Sequence, residues 1–222
     1  MPNHFPHLEL TNPFCAARLR PGTIGFVFEH GKSLEQLVDT LEANAWHGQI
    51  TGGHGTGKST LLAALTHAIE RRGRLVKSIT LEAGQRILPR EFLRSLCTSR
   101  NCGAAVPAAQ GWRDARTRTS AGLGVAAVDG FEQLNLWNRL VLKRFCRTHG
   151  VGLVVASHRS AHLPSLYETV VDEARAWRVI QQLQNGFPPR INTGDLVERL
   201  TRHKGNLREA LFDLYDLYEE RA

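Results

Sequence analysis

The eight residues Gly52-Gly53-His54-Gly55-Thr56-Gly57-Lys58-Ser59 constrain this chain more than any other part of it. They fit the pattern G-x-x-x-x-G-K-[ST] without a gap. A polyphosphate needs several backbone N–H donors converging on it, and glycine lets a loop curl with its amides inward. A helix that starts where the loop ends adds the partial positive charge of its N-terminus. Lys58 is placed to reach the β and γ phosphates as a point charge. Ser59 would put its hydroxyl on Mg²⁺, with Thr60 as an indirect neighbour and His54 shaping the loop. The flanks agree: Trp46 to Thr51 has the pattern of a buried strand. Ser59 to Arg72 carries Leu61, Leu62, Leu65 and Ile69 on one side before Gly73 stops it. Strand, loop and amphipathic helix predict a nucleoside triphosphate site for ATP with Mg²⁺, formed by Gly52 to Thr60.

A carboxylate stands where such a site needs one. Val125-Ala126-Ala127-Val128-Asp129 is an apolar run that delivers Asp129 at its C-terminal end. Mg²⁺ keeps most of its water, so one carboxylate and one hydroxyl are sufficient protein ligands. An aspartate in this place can also simply bond the turn at Gly130. Beside the glycine loop, it is expected to share the metal with Ser59.

The rest of the chain alternates strand and helix patterns, which argues for a parallel α/β sheet with right-handed crossovers. Ser33 and Gln36 fit a capping box ahead of Leu34, Leu37, Val38 and Leu41. Leu75 to Leu81 alternates as a strand. Arg86 to Leu96 is expected to be a short basic helix with Ile87, Phe92, Leu93 and Leu96 facing in. A further helix is expected from Glu132 to Thr148, carrying Leu136, Leu140, Val141 and Phe145. Val151 to Ala156 and Ser165 to Val170 complete the strands, with one more short strand at Gly25 to Phe28. A helix from Asp172 to Leu183 and two terminal amphipathic helices follow, the last capped by Asn206. The segment 97–122 is dominated by Ala, Arg, Gly, Ser and Thr and is expected to be a mobile insertion.

Together the glycine loop and the strand-borne aspartate resemble the Walker A and Walker B elements of P-loop ATPases. The chain looks like the branch with an extra strand between the two motif-bearing strands, as in AAA+ and related ATPases. That resemblance implies a three-layer P-loop NTPase fold with parallel sheet order 5-1-4-3-2 and ligand at the strands' C-terminal ends. It divides the chain into an N-terminal arm (1–32), a nucleotide-binding core (33–185) and a small C-terminal helical lid (186–222). In that branch a polar residue ending the fourth strand senses the γ-phosphate; Ser157 is the positional match, with Arg159 as a second candidate contact. Gly205-Asn206-Leu207-Arg208-Glu209-Ala210-Leu211 is similar to the lid helix of AAA+ proteins and points to Arg208 as a nucleotide contact. Asn12-Pro13-Phe14 resembles their lead-in segment near the adenine. One departure matters. Where many of these ATPases place a water-activating glutamate after the aspartate, this chain has Gly130. Glu132 is the nearest substitute, and Glu82 falls on the far edge of the implied sheet. The catalytic candidates are thus Lys58, Asp129, Glu132, Ser157 and Arg208. Nucleotide binding is expected more firmly than efficient hydrolysis, in a slow ATPase or a nucleotide-controlled switch.

Composition narrows the partners. The 222 residues carry a formal charge of +7, with much of the arginine between Arg86 and Arg118. That favours anionic partners, nucleic acid among them, without a helix-turn-helix or zinc motif to specify one. Arginines of the insertion (Arg100, Arg113, Arg116, Arg118) are candidate fingers toward a neighbouring copy. The four cysteines form no zinc-type or disulfide pattern, and no apolar run is long enough to span a bilayer. A cytoplasmic protein acting on a protein partner, alone or as a homo-oligomer, is the leading expectation. A P-loop small-molecule kinase and an ATP-regulated DNA-binding protein are the alternatives.

Overall fold

The computed structural model describes residues 12–29, 31–98 and 124–222. Five strands form one all-parallel sheet: β1 (His47–Gly52), β2 (Val76–Thr80), β3 (Val125–Asp129), β4 (Gly152–Ser157) and β5 (Ser165–Thr169). Their spatial order is β2-β3-β4-β1-β5, the expected order counted from the opposite edge. Strand alternation divides the core into two layers. Val125, Ala127, Val154 and Ala156 face α1 (Leu34–Ala43) and α2 (Lys58–Arg71), meeting Leu37, Leu41, Leu61 and Leu65. Ala126, Val128, Leu153 and Val155 face the other way, onto α3 (Arg90–Thr98) and α4 (Leu136–His149). Helix, sheet and helix thus make the three layers. Between strands, Gly152 is needed for close approach: a Cβ there would lie 2.6 Å from that of Trp46.

A third cluster joins α5 (Glu173–Gln184), α6 (Thr193–Arg202) and α7 (Leu207–Glu220). Phe14 is fully buried in it, edge-on to Tyr218 at 5.7 Å, and Asn12 donates to Tyr215 O at 3.0 Å. The start of the described arm is therefore anchored on the terminal helices. Capping is local and as read: Ser33 and Gln36 complete a box on α1, and Asn206 accepts from the Glu209 N–H.

Three local expectations fail, each for a physical reason. Gly25 to Phe28 is no strand; its backbone joins no ladder, and Phe26 and Phe28 instead meet the Tyr167 ring edge-on at 5.6 and 5.8 Å. The basic helix starts at Arg90, because Pro89 disfavours a helical residue before it. Ile87 then lies outside the helix and is exposed. Finally, Glu132 does not open the long helix. Phe131–Gln133 is a separate 3-10 turn, Leu134 is extended, and Asn135 caps α4 afresh by accepting from the Asn138 N–H at 2.8 Å. This break resets the helical phase. Leu142 and Cys146 turn inward, while Leu136 and Leu140, expected inside, are 75% and 61% exposed. Burial pushes the Cys146 thiol up to about 12, an unreactive group. Nearly all of the expected insertion 97–122 lies outside the described residues.

The phase reset is testable by urea denaturation. Leu142→Ala should cost about 2–5 kcal/mol as a cavity in the core, whereas Leu140→Ala should stay within about 0.5 kcal/mol.

Candidate functional site

The parallel register brings the C-terminal ends of β1, β3 and β4 to one edge, with Ala156 paired to Ile50 on one side and Asp129 on the other. From β1 the chain enters the glycine loop. Gly57 precedes α2 with φ +93° and offers no side-chain cap, the kind of helix start that suits an anion. Thr56 pins the loop to β5 through the Thr169 hydroxyl at 2.6 Å. A side chain at Gly55 could not exist here: its Cβ would fall 1.8 Å from Asn206 Oδ1, at the start of α7. The loop therefore bears directly on the terminal helices.

Lys58 is 8% exposed, and its ammonium donates to Gly52 O at 3.1 Å and to Gly53 O. Burial lowers its pKa, against the opposing pull of Glu132 and Asp129. Ser59 and Thr60 follow it on α2 and are half-buried. Asp129 ends β3 beside Thr80 and Ala156. A hydroxyl and a carboxylate are hard oxygen donors that suit Mg²⁺, and no group of three metal-ligating side chains exists among the described residues. Such a pair fits an ion that takes its other ligands from water and phosphate.

The glycine after Asp129 has a steric cause. Gly130 has φ +74°, and a Cβ there would lie 2.7 Å from Leu81 O. No glutamate fits this position. The next carboxylate, Glu132, sits on the 3-10 turn, which Arg139 clamps by donating to the carbonyls of Glu132 and Leu134. Glu132 Oε1 lies 3.3 Å from His158 Nε2, and Oε2 is buried without a hydrogen-bond partner. Glu82, by contrast, is exposed beyond edge strand β2.

At the end of β4 the sequence pointed to Ser157. That residue is 1% exposed and donates its hydroxyl to Arg159 O, and Arg159 itself is exposed. The neighbouring His158 reaches the loop instead. Its Nδ1 is 3.2 Å from Lys58 Nζ and 3.1 Å from Gly52 O, and its ring lies against that of His54, tilted by 33° with centroids 3.6 Å apart. In the neutral Nε2–H tautomer the ring accepts from Lys58 at Nδ1 and donates to Glu132 from Nε2, and Gly52 O is left to the Lys58 ammonium. Burial, chiefly, and then Lys58 lower its pKa, which favours this neutral form. Only its place next to Ser157 could have signalled His158 in the sequence.

On the opposite side of the loop a cavity of about 180 Å³ opens between Gly55–Thr60 and the terminal helices. Ile24, Val27, Val179 and Leu211 give it apolar walls, and Arg208 lines it from α7. Asn12 and Phe14 are not among its lining residues; the arm contributes instead from its later part, between Leu19 and Val27. Arg175 also lines it and is 3% exposed, held by Glu29 at 2.8 Å, the Tyr167 hydroxyl at 3.0 Å and Val170 O. Nothing in the sequence around Arg175 announced this role, because its partners lie on the arm and on β5.

No protein-family model matches the chain, and no curated protein matches it in sequence. Solved structures do. A DNA replication initiation factor superposes with a TM-score of 0.52 at 15% identity, covering 88% of this chain and 65% of that one. AMPPCP-bound DnaA from Aquifex aeolicus gives 0.50 at 15% identity, covering 85% and 61%. The replication initiator DnaA bound to AMPPCP and single-stranded DNA gives 0.51 at 16%, covering 87% and 63%. The chain spans a little under two thirds of each of these structures. Glycine loop, sheet order and these superpositions agree on the fold, a three-layer parallel α/β P-loop fold like that of these DnaA structures.

Proposed function

We propose that this chain is a Mg·ATP-binding switch that hydrolyses ATP slowly and acts on a macromolecular partner. The observation that carries the reading is the uncapped start of α2 behind the glycine loop, with Lys58 buried beside it and Asp129 across from it. The loop amides and Lys58 would hold the β and γ phosphates, and the apolar cavity next to Thr60 would take the base. Ser59 and Asp129 would hold Mg²⁺, which supplies charge neutralisation on the phosphate oxygens when bound. Glu132 Oε2 is the group to accept a proton from the attacking water, while His158 orients the same carboxylate through Oε1. Arg208 would reach the nucleotide from the lid, so that its triphosphate or diphosphate state sets the lid's angle. The AMPPCP named with a similar structure supports a nucleotide ligand.

The kinase alternative is weakened by β4 standing between the loop-bearing β1 and the aspartate-bearing β3. The single-stranded DNA of one similar structure, with the +7 charge of this chain, supports nucleic acid as a candidate partner alongside protein. No helix of the described residues is long and apolar enough to cross a membrane.

Three measurements test the reading. Fluorescent ATP titration should show binding that Lys58→Ala weakens more than about tenfold, since a charge-assisted hydrogen bond is worth about 1.5–3 kcal/mol; unchanged affinity would refute the site. Glu132→Gln should keep that affinity while phosphate release falls by about 10²–10⁴-fold. The third concerns pH. Because the His158 pKa is lowered from its usual 6.5 in the folded chain, the unfolded chain binds this proton more readily. Its stabilising contribution is whole above that value and lost as pH falls through the lowered one. Denaturation midpoints for His158→Gln should therefore decline less than wild type on acidification below 6.5.

A further inference from the structure

One buried cation fastens three parts of the chain: the arm, the sheet and the first of the terminal helices. Arg175 lies in the first turn of α5, where the Asp172 cap accepts its backbone N–H at 2.6 Å. Its side chain donates to Glu29 Oε1 of the arm at 2.8 Å, to the Tyr167 hydroxyl of β5 at 3.0 Å and to Val170 O. Glu29 Oε2 in turn meets the Lys32 ammonium at 3.2 Å, which sits 4.8 Å from the centre of the Tyr167 ring. Gly25 to Phe28 joins no backbone ladder, so its place rests on side chains. These are the rings of Phe26 and Phe28 on Tyr167, followed directly by the ion pair of Glu29 with Arg175.

We propose that Arg175 is a positioning residue, which holds the arm against α5 and thereby closes the wall of the cavity that takes the base. Ile24, Phe26 and Val27 line that cavity from the arm, Val179 and Leu211 from the terminal helices. Val179 stands one turn beyond Arg175 on the same face of α5, so a fixed Arg175 fixes Val179 too. Phe26 also reaches the glycine loop, since a Cβ on Gly57 would lie 3.2 Å from its ring. Glu29 is not a lining residue, so it acts on a ligand only through Arg175 and the arm. As a stabiliser a buried ion pair is weak beside an apolar side chain of like volume, which points to placement as the task of this one. The role rests on the reading of this cavity as the base pocket. It divides the labour there: the loop and Lys58 set affinity for phosphate, and the arm sets affinity for the base. An arm in place a tenth of the time lowers affinity for the whole nucleotide about tenfold and leaves that for phosphate alone.

Titration calorimetry of the full chain with ATP and with inorganic tripolyphosphate, both in Mg²⁺, tests the proposal. Wild type should bind ATP more tightly than tripolyphosphate. Glu29→Ala should weaken ATP at least about tenfold and tripolyphosphate less than about twofold. Glu29→Gln keeps an oxygen for Arg175 to donate to and should recover most of the ATP affinity. Arg175→Met, close in volume, should give the same split as Glu29→Ala, whereas Lys58→Ala should weaken both ligands. Circular dichroism verifies that each variant is folded, and the exposed Glu29 position carries the test if Arg175→Met is not. Unchanged ATP affinity in Glu29→Ala overturns the proposal, and so does an equal loss for both ligands, which marks a role in the fold alone. Wild type that holds tripolyphosphate as tightly as ATP overturns it as well, with the phosphate site intact. Wild type that binds neither ligand refutes the nucleotide reading and this proposal with it.

Discussion

The site depends on one constraint, the parallel register in which β4 lies between β1 and β3. Residue for residue, Ile50, Ala156 and Asp129 stand side by side, so three chain segments leave the sheet at one level. The first becomes the glycine loop, the second presents His158, and the third presents Asp129 and then the 3-10 turn with Glu132. Shifting any of these strands by one residue would turn its side chains to the opposite face and dismantle both core layers. The buried β3 and β4 make such a slip costly, since Val125 to Val128 and all of β4 are in the core. Precision at the polar edge is thus a by-product of apolar packing a few residues below it.

That edge concentrates charge in little solvent. Lys58 has the loop carbonyls and His158 as hydrogen-bond partners, and feels Glu132 and Asp129 at longer range. His158 mediates between the cation and the carboxylate by accepting from one and donating to the other. Its neutral form is the only one that serves both, and burial first and the Lys58 charge second lower its pKa toward that form. Gly130 belongs to the same logic. The backbone after Asp129 is crowded against Leu81 O, so the chain carries its second carboxylate two residues further on and fixes the turn with Arg139.

Much of the fold was legible because the decisive signals are short-range. The glycine loop, the capping box at Ser33 and the apolar run before Asp129 each declare themselves within a few residues. What escaped depends on orientation set elsewhere. Whether Ser157 or His158 faces the loop is decided by how the chain leaves β4, where the Ser157 hydroxyl turns to Arg159 O. The direction of Leu136 and Leu140 depends on the break at Leu134 and Asn135, which a continuous helical pattern conceals. Phe26 and Phe28 have strand-like composition, yet their rings pack edge-on against Tyr167 without backbone pairing. Arg175 draws its partners from Glu29 and Tyr167, distances of chain that no motif spans.

The meeting of Gly55 with Asn206 has a consequence for motion. Asn206 caps α7 with the same side-chain oxygen that a Cβ on Gly55 would strike, so the loop's curl and the orientation of the terminal helix share one point of contact. Any rearrangement of the loop around a phosphate must either carry Asn206 with it or part from it. The cap thus sits where the loop and the 14-residue α7 touch, and the packing of one constrains the placing of the other.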